Sequence, residues 1–409
     1  MQLKPELGWL TLGVLFAASC ARPLPPARVP EEPELRIGLV VGAPRVSIGG
    51  QDRVAAVREG EPVFTLARGQ TVTITSDGRG IALNHGGSSA RYQSLTFVSL
   101  SPGRYVTVEG KPYRGVVEVW SRGGGVTAVN RVRLEDYLLG VVSRELGRLS
   151  SSESAALKAQ AVVSRTYALR NRGRSASEGF DLRATVADQA YGGVESETPE
   201  GTAAVHATAG QVLTYKGEAI LALFHSTCGY ATAAPREVFR TIDHVPYLRS
   251  VSDRRGSGYY CDISPRFRWR VEWDGEELLA ILRRTLPEVL GMESGLVDRL
   301  QDFRVAHTGP SGRVTELRIR VGRGEIPVFG PDLRSVLLAP DGSSLLSTAV
   351  QLEVQRAGGQ LVKVTAAGAG SGHGVGMCQW GAVGRARAGQ SYQEILAHYY
   401  PGTKLERWY

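Results

Sequence analysis

Nowhere in these 409 residues do five or six charges of one sign follow one another, so the chain carries no basic arm of the kind that grips nucleic acid. Its formal charge of +8 comes from arginines scattered along the chain. Such a diffuse positive field suits a polyanionic surface; cell wall, anionic lipid and DNA all qualify, so charge leaves the partner open. A long apolar run is missing too, since the stretch from Leu7 to Ala18 is too short to cross a bilayer comfortably. The glycine-rich block Gly368 to Gly376 follows a β-prone run and precedes a helix-prone one. Yet it fits neither the GxGxxG pattern nor that of the P-loop, which excludes the nucleotide-binding loops it superficially suggests. Cysteine is scarce, with four in all. What remains, 42% apolar and 22% charged residues, is the composition of an ordinary folded protein with two domains or one large one.

Lys4 precedes the first apolar stretch, which ends in Ala17, Ala18 and Ser19 before Cys20, the layout of an export signal. Leu15-Phe16-Ala17-Ala18-Ser19-Cys20 resembles a bacterial lipoprotein signal, although Ala17 stands where leucine is commonest and Glu6 weakens the basic start. Residues 1–20 are therefore expected to be a signal, with Cys20 as the lipidated first residue of the mature chain. Residues 21–34, with Pro23, Pro25, Pro26, Pro30 and Pro33, read as an extended spacer that holds the protein off a membrane. The expected location is the cell envelope, after export, with a lipid anchor.

Residues 35–109 show short β-prone runs such as Arg36 to Val41 and Thr71 to Thr75, broken by glycine-containing turns. Apart from the lone His85, no histidine, cysteine or acidic cluster gives this β-rich domain a chemistry. Tyr113 to Trp120 and Val126 to Val132 flank the turn Ser121 to Gly125 and read as a hairpin that opens a second domain, 110–409. Two helices are expected next, Arg133 to Leu146 and Ser150 to Arg170, the second starting with a capping box of Ser150 and Glu153. Strands are expected at Gly210 to Tyr215, Ala219 to Phe224, Glu316 to Val321, Gln351 to Val354 and Leu361 to Thr365, and helices at Glu276 to Leu282, Trp380 to Ala388 and Tyr392 to Tyr399. With no internal repeat and no alternating βαβ array, the fold class is α+β, a small β-rich N-terminal domain followed by a mixed one.

Helical periodicity puts Leu134, Leu138, Val141 and Glu145 on one stripe, with Glu135 and Asp136 pointing away and Arg144 at the edge. A carboxyl held against apolar side chains loses hydration of its charged form, which raises its pKa and lets it serve as an acid near neutral pH. Geometry alone nonetheless favours a structural ion pair between Glu145 and an arginine such as Arg165 on the next helix.

Several motifs then occur in order: Leu134-Glu135-Asp136-Tyr137-Leu138-Leu139-Gly140-Val141-Val142, Glu145, Lys158-Ala159-Gln160-Ala161-Val162, Arg165-Thr166-Tyr167-Ala168, Phe224-His225-Ser226-Thr227-Cys228-Gly229, Ser311-Gly312-Arg313-Val314 with Leu333-Arg334, Gly372-His373-Gly374-Val375-Gly376-Met377-Cys378-Gln379-Trp380-Gly381-Ala382, and Ile395 to Gly402. Together they resemble the SpoIID/LytB family of bacterial wall proteins, over about Lys111 to Tyr409. The resemblance implies a lytic transglycosylase that cuts peptidoglycan strands stripped of stem peptides, with Glu145 in the catalytic position. It further implies that Arg165, Tyr191, His373 and Gln379 meet the glycan. A single carboxyl suffices for that chemistry, whereas a hydrolase wants a second across the bond, for which Asp181, Asp188 and Asp253 are candidates only by being acidic. Because some family members are described as amidase modifiers, a non-catalytic wall-binding enhancer of an amidase, or an envelope scaffold, is the alternative. Glycan strands, an amidase or other wall hydrolase, and a membrane are thus the expected partners; nucleic acid is not.

Besides Cys20, the cysteines are Cys228, Cys261 and Cys378. An exported compartment favours a Cys228–Cys261 disulfide with Cys378 spare. The other arrangement is a structural zinc held by His225, Cys228, Cys261 and either Cys378 or His373, soft thiolates with imidazole, as some family members carry zinc at such positions.

Overall fold

The computed structural model describes residues 31–409 except 243, 294 and 323; the expected signal, Cys20 and most of the proline-rich spacer lie outside the described residues. The fold is α+β, as expected. Two antiparallel sheets begin it. One runs in the order Leu182–Arg183, Glu34–Ala43, Gly125–Arg133, Val116–Arg122, Ser94–Ser99, Val54–Arg58, Glu61–Leu66, with only the short first strand parallel to its neighbour. The other runs Lys111–Tyr113, Val106–Val108, Arg45–Gly50, Thr71–Ser76, Ile81–His85, Ser88–Tyr92. Period-two burial explains the pairing: Val46 and Ile48 of one strand and Val72 and Ile74 of the next point inward, while residues between them face out. Each sheet draws strands from both sides of residue 110, so the β-rich segment and the following helices share one core.

That core continues into helices α1 (Leu134–Leu146), α2 (Ser154–Arg170) and α3 (Pro199–Ala207). The capping box forms, with the Glu153 carboxylate accepting from Ser150 N at 2.7 Å and Ser150 Oγ at 2.9 Å, although a single 3-10 turn precedes α2. Most of α2 is buried, Gln160, Ser164, Arg165 and Thr166 included, so these polar side chains must find partners inside the protein. A second core surrounds α4 (Gly275–Leu290) and α5 (Gly330–Val336), packed on the strands Arg268–Asp274, Leu300–Thr308, Val314–Val321, Gly324–Phe329, Val350–Ala357 and Gln360–Ala369. The chain then returns to the first core with α6 (Gln379–Arg387) and α7 (Tyr392–Tyr399), and ends in Lys404–Arg407, paired with Gln211–Tyr215. Among the described residues, no helix is long and apolar enough to cross a membrane.

Three local expectations change. Tyr113 belongs to the second sheet, and the hairpin is Val116–Arg122 with Gly125–Arg133. The strand expected over Ala219 to Phe224 splits into Glu218–Ala219 and Phe224–His225, because the Leu223 carbonyl accepts from Met377 N and from the Tyr400 hydroxyl instead of from a ladder neighbour. Glu135 does not point away. Its carboxylate takes the Arg165 fork at 2.7 and 2.6 Å, with Gly210 N and the Tyr409 hydroxyl on the same oxygen. Burial pushes this carboxyl upward, and the Arg165 hydrogen bonds reverse the effect to leave it below its ordinary value.

With Arg165 fully buried and Glu135 mostly so, removing one partner strands a charge in the interior. Glu135→Ala is expected to cost about 3–5 kcal/mol, seen as a lower urea midpoint; an unchanged midpoint would mean the pair is dispensable.

Candidate functional site

Glu145 sits in the last turn of α1, half-buried, where Leu134, Leu138 and Val141 of the same stripe are wholly inside. The helix ends at Gly147, whose φ of 78° is the turn a glycine makes without strain. Gly140 lets the loop after Leu182–Arg183 approach. A Cβ there would lie 2.6 Å from the Tyr191 ring and 2.9 Å from the Gly193 carbonyl, and Gly192 N donates to the Gly140 carbonyl at 3.1 Å. That close approach brings Ala190 N within 2.7 Å of Glu145 Oε1. From the far end of the chain, Gln379 in the first turn of α6 sets its amide Nε2 3.5 Å from Glu145 Oε2. Both carboxyl oxygens thus face donors, and among the described residues no lysine or arginine pairs with Glu145.

Three effects compete at this carboxyl. Loss of water raises its pKa, whereas the Ala190 N–H, the Gln379 amide and the charge of Arg144 lower it; desolvation prevails and the pKa stands above the ordinary glutamate value. The ion pair with Arg165 does not form: that arginine pairs with Glu135 in the first turn of α1, about 15 Å along the helix from Glu145.

Of the other residues expected to meet glycan, Gln379 alone touches Glu145. Arg165 is wholly buried in its bonds to Glu135 and to backbone carbonyls, so it braces α1 against α2. Tyr191 is 6% exposed, with its hydroxyl donated to Asn130 Oδ1 at 2.9 Å, and it supports the loop that carries Ala190. His373 is pinned by Val375 N donating to its Nδ1 at 3.0 Å and packs against His225 and Phe239; burial pushes its pKa down to about 4, so it is neutral at physiological pH. The three spare carboxylates are occupied. Asp181 accepts from Arg36 N and Gly173 N, Asp188 from Arg183 N and the Tyr167 hydroxyl, and Asp253 lies in a cluster of thiols.

That cluster brings together Cys228, Cys261, Cys378 and Asp253, one donor atom from each lying within 4.8 Å of the others, all buried. His225 stands aside. Its Nδ1 donates to the Val375 carbonyl at 3.2 Å, while its Nε2 has no hydrogen-bond partner among the described residues. The expected disulfide is not formed: the three thiols are free, with Cys228 Sγ and Cys261 Sγ 3.5 Å apart. Their surroundings suit thiolates bound to a cation. Cys228 N and Gly381 N each donate to Cys378 Sγ at 3.2 Å, and Tyr399 Oη and Arg385 Nη2 hold Asp253 Oδ1 at 2.8 and 3.2 Å, which leaves Oδ2 toward the sulfurs. Burial pushes the Asp253 carboxyl up to about 7 and raises the Cys228 and Cys378 thiols, a crowd of protons that a bound cation would displace. Three sulfurs and a carboxylate oxygen at these separations fit a tetrahedral metal ion, so the cluster could hold one.

The cluster also bears on Glu145. Cys378 caps α6 and immediately precedes Gln379, so whatever fixes the sulfur fixes the amide beside the acid. Three contributors went unassigned in the sequence reading. Asp253 has no spacing that ties it to the cysteines. Gln160 and Ser164, one turn apart in a mostly buried helix, did leave a signal, being polar groups among its alanines and valines. A separate cavity of about 600 Å³, lined by residues including Arg236, Phe239, Arg240 and Phe329, involves none of these groups.

Residues 122–215, which include Glu145, match the stage II sporulation protein family (SpoIID), and residues 242–376 match a domain of unknown function. Among similar proteins, an uncharacterized protein of Brachyspira hyodysenteriae is 27% identical over 361 residues, 88% of this chain and 89% of that one. The amidase enhancer of Bacillus subtilis is 30% identical over 326 residues, 73% of this chain and 45% of its own length, so the chain spans under half of that relative. Stage II sporulation protein D of Bacillus amyloliquefaciens is 30% identical over 299 residues, 68% of this chain and 75% of its own.

Elemental analysis of protein purified without chelator is expected to find one divalent ion per chain, lost in Cys261→Ser. A metal-free protein with a Cys228–Cys261 disulfide would contradict the assignment.

Proposed function

The chain belongs to the stage II sporulation protein D (SpoIID/LytB) family, and on that premise we propose that it is a peptidoglycan lytic transglycosylase, with Glu145 as its only acid and base. The observation that carries this reading is the state of Glu145: half-buried, without an ionic partner among the described residues, raised in pKa, and bounded by two neutral donors. An ion-paired carboxylate would be locked in its charged form; this one can hold a proton and release it. Bound to a denuded strand, the Glu145 carboxyl donates its proton to the oxygen joining N-acetylmuramic acid to N-acetylglucosamine as that bond breaks. The resulting carboxylate takes the proton of the muramic C6 hydroxyl while its oxygen closes on the anomeric carbon, giving a 1,6-anhydro end and restoring the acid. Because the nucleophile belongs to the substrate, attack gains from proximity and no second carboxylate is required. The commitments of Asp181, Asp188 and Asp253 to other partners agree with a one-carboxyl scheme.

In this reading Cys228, Cys261, Cys378 and Asp253 hold a structural zinc. Four protein ligands leave no open coordination position, so such a zinc would supply rigidity and no step of the reaction. It would tie the Phe224–His225 and Met377–Cys378 strands and the start of α6 into one unit that presents Gln379. A lipid on Cys20 and the proline-rich spacer would tether the domain in the envelope within reach of the wall. The name of the amidase enhancer favours a second role, binding the wall beside a partner hydrolase.

Incubation of denuded strands with wild type is expected to yield anhydro-muramyl ends, and Glu145→Gln to lose them by a factor of about 10² or more while still binding strands. The reaction needs the protonated acid, so its rate should fall as pH rises through a Glu145 pKa above the ordinary glutamate value. Binding with no products from wild type would overturn the enzyme and leave the enhancer.

A further inference from the structure

Behind Gln379 lies a short chain of buried amides that the reaction scheme does not use. Gln379 is 7% exposed, Gln160 and Ser164 not at all. Gln379 Nε2, besides facing Glu145 Oε2, stands 3.4 Å from Gln160 Oε1, and Gln160 Nε2 donates to Ser164 Oγ at 3.0 Å. The two contacts of Gln379 converge on the same nitrogen, so its two hydrogens point to two acceptors. An amide end is N–H on one side and carbonyl on the other, and which side faces Glu145 matters. An N–H stabilises the carboxylate left after proton donation; a carbonyl would tolerate only the protonated acid.

We propose that Gln160 and Ser164 are positioning residues that hold the Gln379 amide with its N–H, and not its carbonyl, toward Glu145. Gln160 does so by offering its own carbonyl oxygen, which a turned Gln379 would meet with a second carbonyl, and Ser164 by accepting from the Gln160 amide nitrogen. All three sites are needed because the members come from distant elements, α2 and α6, and meet only when the core closes. Removing the carbonyl of Gln160 frees Gln379 to turn, and Glu145 then keeps only the Ala190 N–H against its desolvation. The inference deepens the assignment of Glu145 as the acid and rests on it for its functional meaning, but the relay itself is a property of the unliganded protein.

The groups bearing charge or a titratable proton that face Glu145 are Arg144 and Tyr137, both of its own helix. Asp188 on the neighbouring loop is held by Tyr167, Arg174 and Arg183 N, while α2 and α6 contribute to this contact only the neutral Gln160, Ser164 and Gln379. Gln160→Met and Ser164→Ala leave Arg144, Tyr137 and Asp188 unaltered.

The test is a titration of the Glu145 side-chain carboxyl by NMR in the full chain carrying isotope-labelled glutamate, its signal assigned by its loss in Glu145→Gln. Gln160→Met, which keeps length and removes the amide, is expected to raise the midpoint by about one pH unit, and Ser164→Ala to raise it by less, with thermal unfolding still cooperative. An unchanged or lowered midpoint in a folded Gln160→Met overturns the relay. If that variant does not fold, Ser164→Ala decides alone: an upward shift supports the relay and none overturns it. Strand cleavage is assayed separately. The predicted shifts in the variants, together with a wild type that cuts nothing, would uphold the relay and remove the transglycosylase, whereas cleavage without the shifts would do the reverse.

Discussion

A carboxyl group that must give up a proton and take one back in a single turnover can be neither fully hydrated nor fully paired. In water it would be ionised and a poor acid; beside an arginine it would be ionised permanently. The surroundings of Glu145 meet both conditions by using neutral donors. Desolvation raises the group, and two N–H contacts offset the rise only in part. The arginine best placed by sequence to neutralise it, Arg165, is instead taken by Glu135 on the same helix. The buried pair locks α1 to α2, at the opposite end of α1 from the acid.

The same site illustrates how far apart in sequence a small constellation can be. Glu145 and Gln379 are separated by 234 positions, and between them the chain builds an entire second core before it returns. What brings it back is a cluster of short anchors. The parallel bridge of Phe224–His225 with Met377–Cys378, the thiols of Cys228, Cys261 and Cys378, and the Asp253 carboxylate held by Tyr399 and Arg385 meet at the start of α6. A cation in that cluster would convert several weak contacts into one cross-link directly behind the residue that faces the acid.

An apolar stripe of 3.6-residue period made α1 legible almost to the residue; the capping box and the Ala-rich stretch gave α2 its exact end but a start four residues early, at the 3-10 turn, and α7 matched its expected bounds. Periodicity placed Glu145 on the inward face correctly. It failed for Glu135, one of the stripe's neighbours, because an inward turn of that side chain depends on Arg165 arriving from another helix. The Ala219 to Phe224 segment reads as a strand by composition, yet its Leu223 carbonyl is claimed by Met377 N and the Tyr400 hydroxyl, which no local pattern announces. Asp253 is the clearest example in the site. Cysteine and histidine advertise a metal by their chemistry, whereas an aspartate among many does not, and only the fold brings it, and not His225, among the three thiols.

The one-carboxyl scheme differs from hydrolysis in where the new oxygen at the anomeric carbon comes from. Cleavage of denuded strands in water enriched in heavy oxygen, with the products read by mass spectrometry, separates the two. Intramolecular closure under Glu145 predicts anhydro ends that contain no heavy oxygen. Reducing ends that carry one heavy atom per cut would contradict it, since they require an activated water and a second base that the structure commits elsewhere.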